Sequence, residues 1–214
     1  MRARTLKKKM ATLRREPRQA RGERRIVELL DAADRVFASV GYEAATTNAI
    51  AREAGASVGS LYQFFPDKEA LLLALAARYR AELHAIHEKV FTPETARLPL
   101  AELYDLVVET LAAFYRAHPG FRPLLFGSTT VPALATAAAT LHQECVDRVE
   151  AMMAHGMPAM PPTRRRLMAN LNVTVLKALL PLAESADARF RAEVLAEIKR
   201  MLHAHMQAVT GQVC

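Results

Sequence analysis

Apolar residues return every three or four positions along most of this chain, and strict alternation is nowhere sustained. That is the period of α-helices lying on a core, not of strands. Ile26, Leu30, Ala33, Phe37 and Val40 form the first stripe, so a helix is expected from about Gly22 to Val40, stopped by Gly41. Later helices are expected at about 67–90, 98–117, 119–126, 131–155, 163–184 and 187–209. The breaks fall at Thr92-Pro93, His118-Pro119, Gly127–Pro132 and Gly156–Pro162. The segment from Met157 to Pro162 reads as mobile surface, and Pro181 should kink or shorten its helix.

Two short helices are expected between the first long helix and the second. Thr46 is placed to cap one that runs to about Ala54, with Ile50 and Ala51 inward. Ala54-Gly55-Ala56-Ser57 then breaks the chain, and Ser57 caps a helix over about Val58–Phe64 with Leu61 and Phe64 or Phe65 inward. Pro66 closes it, and Asp67 caps the next helix. Helices this short are unstable alone. Joined across a Gly-containing turn and braced by a longer helix, they make a helix-turn-helix. The expected class is therefore all-α, with about nine helices: an N-terminal three-helix helix-turn-helix domain and a larger helical domain after it. The boundaries are expected at 1–21 for an N-terminal arm, 22–68 for the helix-turn-helix and 69–214 for the rest.

Charge sharpens that division. Residues 1–25 carry eleven Lys/Arg against Glu16 and Glu23, a net of +9, while the remaining residues sum to −2. A cationic segment on a near-neutral globule suits a polyanion such as DNA, because Lys and Arg displace its condensed counterions; a solvated tail is the plainer reading. Two distant cysteines, Cys145 and Cys214, make no disulfide framework and suit a reducing cytoplasm. No signal-peptide core follows the basic start, and Val131–Leu141 is too short to span a bilayer, so a soluble cytoplasmic protein without a membrane partner is expected.

The 31-residue string from Gly41 to Leu71 resembles the signature of the TetR family of transcriptional regulators. Gly41-Tyr42, the capping Thr46, Ile50-Ala51, Ala54-Gly55-Ala56-Ser57, Gly59-Ser60-Leu61-Tyr62, Phe65 and Lys68 all fall in register. Ala56 stands where Val is usual, and Phe64 where Tyr or His is usual, which removes one donor to a phosphate. The resemblance implies phosphate contacts from Thr46, Tyr62 and Lys68, and a DNA-facing surface at Ser57, Gly59, Ser60 and Gln63. The residues fit those roles. Gly59 lets the backbone approach a groove, Ser60 and Gln63 present short polar groups to base edges, and Thr46, Thr47, Ser57 and Tyr62 offer hydroxyls to phosphates. Val58 and Phe64 complete the expected DNA-binding set, with Phe64 packing or touching a thymine methyl.

The resemblance also implies a homodimer on operator DNA, released by a small-molecule effector. Leu167, Leu171, Leu179 and Leu182 form one candidate dimer stripe, and Phe190, Val194, Ile198, Leu202 and Val209 another. Tyr104, Phe114, Phe121, Phe126 and His142 are the expected effector-pocket residues, with small side chains over Ala133–Ala139 leaving room. The expected function is a repressor freed from a pseudo-palindromic operator by a small apolar molecule; the alternative is an architectural DNA-binding protein without a ligand. No P-loop, Gly-x-Ser-x-Gly or His-Glu-x-x-His occurs, so no enzyme, catalytic residue or cofactor is expected. His84, His87 and Glu88 read as exposed helix polarity rather than a metal site, and Cys145 as a packing residue rather than a redox sensor.

Overall fold

The computed structural model describes residues 18–121, 131–184 and 187–211. Most of the basic arm, Phe126, the greater part of the expected 119–126 helix and Cys214 lie outside the described residues. Eight α-helices run through the described residues: α1 (Arg18–Ala44), α2 (Thr47–Glu53), α3 (Val58–Tyr62), α4 (Lys68–Val90), α5 (Leu100–Ala117), α6 (Pro132–Gly156), α7 (Pro162–Leu179) and α8 (Ala188–Gly211). Short 3-10 turns occupy Thr95–Arg97 and Leu180–Glu184, and no strand occurs among the described residues. The second of these turns contains Pro181, which ends α7 five residues before the expected boundary.

Helix α1 packs on α2 and α4. Its helical path breaks at Gly41, whose φ of 75° suits a residue without a Cβ. Leu29, Leu30, Ala32, Ala33 and Phe37 are buried, but Val40 is half exposed and is not part of the core stripe. Val40 turns to solvent just before the break at Gly41, while Tyr42 and Ala45 beyond it return to the core.

The larger body pairs α6 with α7 and α5 with α8, and α4 lies against α6. Arg166 of α7 reaches Glu150 of α6 at 2.7 Å, and Lys199 of α8 reaches Glu109 of α5 at 2.8 Å. Inside, Tyr104 donates to Asn172 Oδ1 at 2.7 Å and the Asn172 amide donates to the Met168 carbonyl at 2.8 Å, so this buried polar pair is satisfied.

Three expectations need correction here. The Met157–Pro162 segment is not simply mobile surface: the unbranched Met160 side chain is buried, and the Arg165 side chain donates to its carbonyl. His87 is buried rather than exposed, on the face of α4 that meets α6. Ile198, Leu202 and Val209 are buried in the protomer's own core, since α8 turns that face to α5; they are not part of a dimer surface.

Candidate nucleic-acid interface and effector cavity

Each short helix of the helix-turn-helix is held by local chemistry and by one or two buried side chains. Thr46 Oγ1 accepts from the Ala49 N–H at 3.1 Å, Ser57 Oγ from the Ser60 N–H at 3.1 Å, and Asp67 Oδ1 from the Ala70 N–H at 2.7 Å. These are the three caps expected from sequence. Ile50 and Ala51 bury α2, Leu61 alone buries α3, and Phe65 follows it into the core. Gly55, at φ 60°, makes the turn between them. Arg35 of α1 pairs with Glu53 of α2 at 2.6 Å.

The outer surface of α3 is open. A Cβ on Gly59 would meet nothing within 4 Å, and Tyr62 and Gln63 are exposed. Thr47 Oγ1 and the Tyr62 hydroxyl lie 3.1 Å apart, so hydroxyls from α2 and α3 converge. Only one of them can donate within the pair, which leaves the other O–H to donate outward. Thr46 and Ser57 likewise accept through their oxygens as caps and keep an O–H to give. Capping and phosphate binding are thus compatible at the same residues.

The remaining members of the expected set are not all on this surface. Helix α3 ends at Tyr62 rather than Phe64, with Gln63 as its C-cap. Val58 and Phe64 are half-buried against the core, and the Phe64 ring lies 3.7 Å from the Cβ position of Gly22 on α1. The Lys68 ammonium donates to the carbonyls of Tyr42 at 2.7 Å and Glu43 at 3.1 Å and lies 4.3 Å from the centre of the Tyr42 ring. Lys68 therefore joins the start of α4 to the end of α1, whereas the resemblance had implied a phosphate contact.

Between α4, α5, α6, α7 and α8 lies a mainly apolar cavity of about 510 Å³. Tyr104, Phe121 and His142 line it. Phe114 does not; it is buried beside it, edge-on to Tyr79, Tyr115 and Phe121. The wall on α6 begins at Leu141, so the Ala133–Ala139 stretch contributes none of it. Residues not expected from sequence contribute to the polar part: His87, Cys145, Asn172, Lys177, Arg97, His155 and Thr210. His87 Nε2 faces Cys145 Sγ at 3.9 Å. Burial, then Arg148 and His84, push the His87 imidazole down to about 4, so it is neutral at physiological pH. Burial, and then Glu144, push the Cys145 thiol up to about 12, which keeps it protonated and inert. Among the described residues, no group of three or more His, Cys, Asp or Glu is arranged to hold a metal.

A buried polar cluster joins this cavity to α1. Asp34, buried on α1, accepts from the Tyr79 hydroxyl of α4 at 2.7 Å and from the Gly120 N–H at 2.6 Å. Burial, then Asp34, raises the Tyr79 hydroxyl far above its ordinary range, so it stays a donor. His118 completes the surround, with Nε2 2.6 Å from Glu82 of α4. The residue after Gly120 is Phe121, which lines the cavity and stacks edge-on against Tyr79.

Comparison with known proteins bears on both parts. Residues 29–75 match the profile described as bacterial regulatory proteins, tetR family, and residues 99–206 match that described as tetracyclin repressor-like, C-terminal domain. The HTH-type transcriptional repressor AcnR of Corynebacterium diphtheriae is 35% identical over 99 residues, covering 44% of this chain and 52% of that protein. The chain thus spans about half the length of that curated relative. A transcriptional regulator of Aquifex aeolicus has a similar fold, with a TM-score of 0.65 at 16% identity over 86% of this chain and 99% of that one. So does the protein in a SmeT–triclosan complex, with a TM-score of 0.61 at 17% identity over 81% of this chain and 90% of that one. With the second profile alone covering half of its length, the chain belongs to the TetR family of bacterial transcriptional regulators.

Proposed function

We propose that this chain represses transcription as a homodimer bound to a pseudo-palindromic operator, and releases the DNA when a small, largely apolar molecule enters the cavity. The observation that carries this reading is the hydrogen-bonded link from the cavity wall at Phe121, through Gly120, Asp34 and Tyr79, to the helices that brace α2 and α3. A ligand that displaces Phe121 disturbs that link. It need favour the DNA-incompetent arrangement by only a few kcal/mol to empty the operator. The relative AcnR is named a repressor, and the similarly folded SmeT was solved with triclosan, an apolar molecule.

The dimer surface is formed by α7, the turn after it and α8. Leu167, Leu171, Leu182, Phe190 and Met201 are exposed there in the single chain. Such a patch is unusual on a monomer and suits a four-helix bundle with a second copy. The stretch Pro162–Glu184 is long and apolar enough to cross a membrane by composition, but its outward leucines fit this protein interface equally well. A dimer sets two α3 helices roughly 34–36 Å apart, one turn of DNA. A regulator that acts on operator DNA in this way works in the cytoplasm.

Selection from random DNA with the full chain, followed by sedimentation of the selected complex, tests this. One palindromic motif occupied by a dimer is expected. Salt-steep binding with no preferred sequence would identify an architectural DNA-binding protein and overturn the repressor reading.

A further inference from the structure

The buried polar groups of the cavity wall differ in what they have left to offer a ligand. Tyr104 gives its hydroxyl hydrogen to Asn172 Oδ1, and the Asn172 amide donates to the Met168 carbonyl at 2.8 Å and to Met206 Sδ at 3.8 Å. Those donors are spent within the protomer. His87 is different. Its Nε2 faces the Cys145 sulfur at 3.9 Å, a weak contact whichever atom donates. Its Nδ1 has no hydrogen-bond partner among the described residues. Nor is that nitrogen sealed off, as the unpartnered Nδ1 of His142 is. Only 6% of His87 is exposed and the residue lines the cavity, so the space that Nδ1 reaches is the cavity itself.

What this imidazole can bind follows from its charge. It is neutral at physiological pH, with one N–H and one bare nitrogen, so it gives an anion no counter-charge. Lys177 already has a partner of its own, and Arg97 and His155 are exposed to solvent. A cation would shed its hydration and meet no Asp or Glu among the described lining residues. A wholly apolar ligand would seal Nδ1 from water and leave it unpaired, a desolvation cost that a polar group avoids. A hydroxyl answers either position of the ring proton: it donates to a bare Nδ1 and accepts from an Nδ1–H. Phe91 lies beside the imidazole with ring centres 5.2 Å apart, and Met152 and Met153 also line the cavity, so the surroundings suit an aromatic or alkyl body.

Resting on the effector reading above, we propose that the cavity takes a neutral apolar molecule carrying a hydroxyl, and that this hydroxyl is hydrogen-bonded to Nδ1 of His87. Four probes share one body and differ in the head group: 4-butylphenol, 4-butylanisole, butylbenzene and 4-butylbenzoate. Each is titrated calorimetrically into the full-length protein near neutral pH, where the phenol is uncharged. The phenol should bind about tenfold more tightly than butylbenzene, the gain of one hydrogen bond, and the benzoate should bind least. The anisole cannot donate and carries a methyl where Nδ1 must approach, so it should match butylbenzene. His87→Leu should lower the phenol to the affinity of butylbenzene and leave butylbenzene unchanged. His87→Gln, which keeps a donor and an acceptor, should retain the preference. In the wild type, the nitrogen-15 signal of His87 Nδ1 should move on adding the phenol and stay in place with butylbenzene, a readout that needs no variant to fold. Equal affinities for phenol and butylbenzene, an anisole as tight as the phenol, a tighter benzoate, or an unmoved Nδ1 signal would overturn the hydroxyl class and leave the effector cavity standing. If none of the four bound, or if Val173→Phe, which narrows the cavity, left every affinity unchanged, the hydroxyl class and the effector reading would fall together.

Discussion

Gly120 gives its backbone N–H to Asp34 Oδ1 across 2.6 Å, and that bond fastens the turn after α5 to the first helix of the chain. The fit is tight at 120: a Cβ there would lie 2.3 Å from Asp34 Oδ1 and 3.2 Å from the Tyr79 hydroxyl, so these groups would have to move. Gly120→Ala should therefore push these groups apart and cost about 1–3 kcal/mol of stability, with weaker operator binding even without ligand. Urea unfolding and fluorescence anisotropy measure the two effects. Unaltered stability and unaltered DNA affinity would show that the link transmits nothing.

Recognition-helix substitutions should separate by what they touch. Gln63→Ala should change which bases are preferred, at about 1–3 kcal/mol on the favoured operator. Tyr62→Phe should weaken all sequences alike, because the hydroxyl it removes pairs with Thr47 and is proposed to meet a phosphate, which carries no base identity. Lys68→Ala should lower thermal stability as well as affinity, since its ammonium holds the Tyr42 and Glu43 carbonyls. The same selected motif for Gln63→Ala as for wild type would remove Gln63 from base reading.

Leu171→Glu places a charge at the centre of the exposed α7 face. Sedimentation at micromolar concentration should then give monomers that retain helical circular dichroism. A dimer unaffected by this change would place the interface on another surface.

The buried imidazole of His87 sets a pH dependence. Its folded value, about 4, lies below the ordinary 6.5, so the unfolded chain binds the proton more readily. The stabilisation is complete above pH 6.5 and is lost as pH falls from there to about 4, by about 1.4 kcal/mol per unit and about 3.5 kcal/mol in all. Unfolding of His87→Leu across that range should lack this part of the decline; identical slopes would contradict it.

The basic arm makes its own prediction from sequence. Met1–Arg21 carries nine Lys/Arg against Glu16. Deleting it should flatten the slope of log affinity against log salt by about two to four units for a dimer and leave the preferred operator unchanged. Anisotropy over a salt series on one operator measures both. An unchanged slope would make the arm a solvated tail.

What was legible in the sequence follows the range of the interactions. The caps at Thr46, Ser57 and Asp67 were, because each acts on an N–H three residues away. The apolar stripes were visible, but not the surface each would meet. Ile198, Leu202 and Val209 read as a stripe for a second copy, and only the packing of α8 on α5 shows that the protomer buries them itself. Tyr104, Phe121 and His142 were expected in the cavity and line it, while Phe114, with the same periodicity, turns toward Tyr79. Asp34 gave no signal at all. A carboxylate on α1 reads as solvated until a backbone N–H 86 residues away reaches it.

Helix α3 fully buries only Leu61, with Val58 half-buried against the core, while Gly59, Tyr62 and Gln63 are exposed. The side chains proposed to read DNA thus bear little of the weight of folding. Mutation at those positions can rewrite which operator is recognised while the protein keeps its stability. On the proposed function, a duplicated copy of this gene could drift to new targets through folded intermediates while keeping its cavity and the link from it.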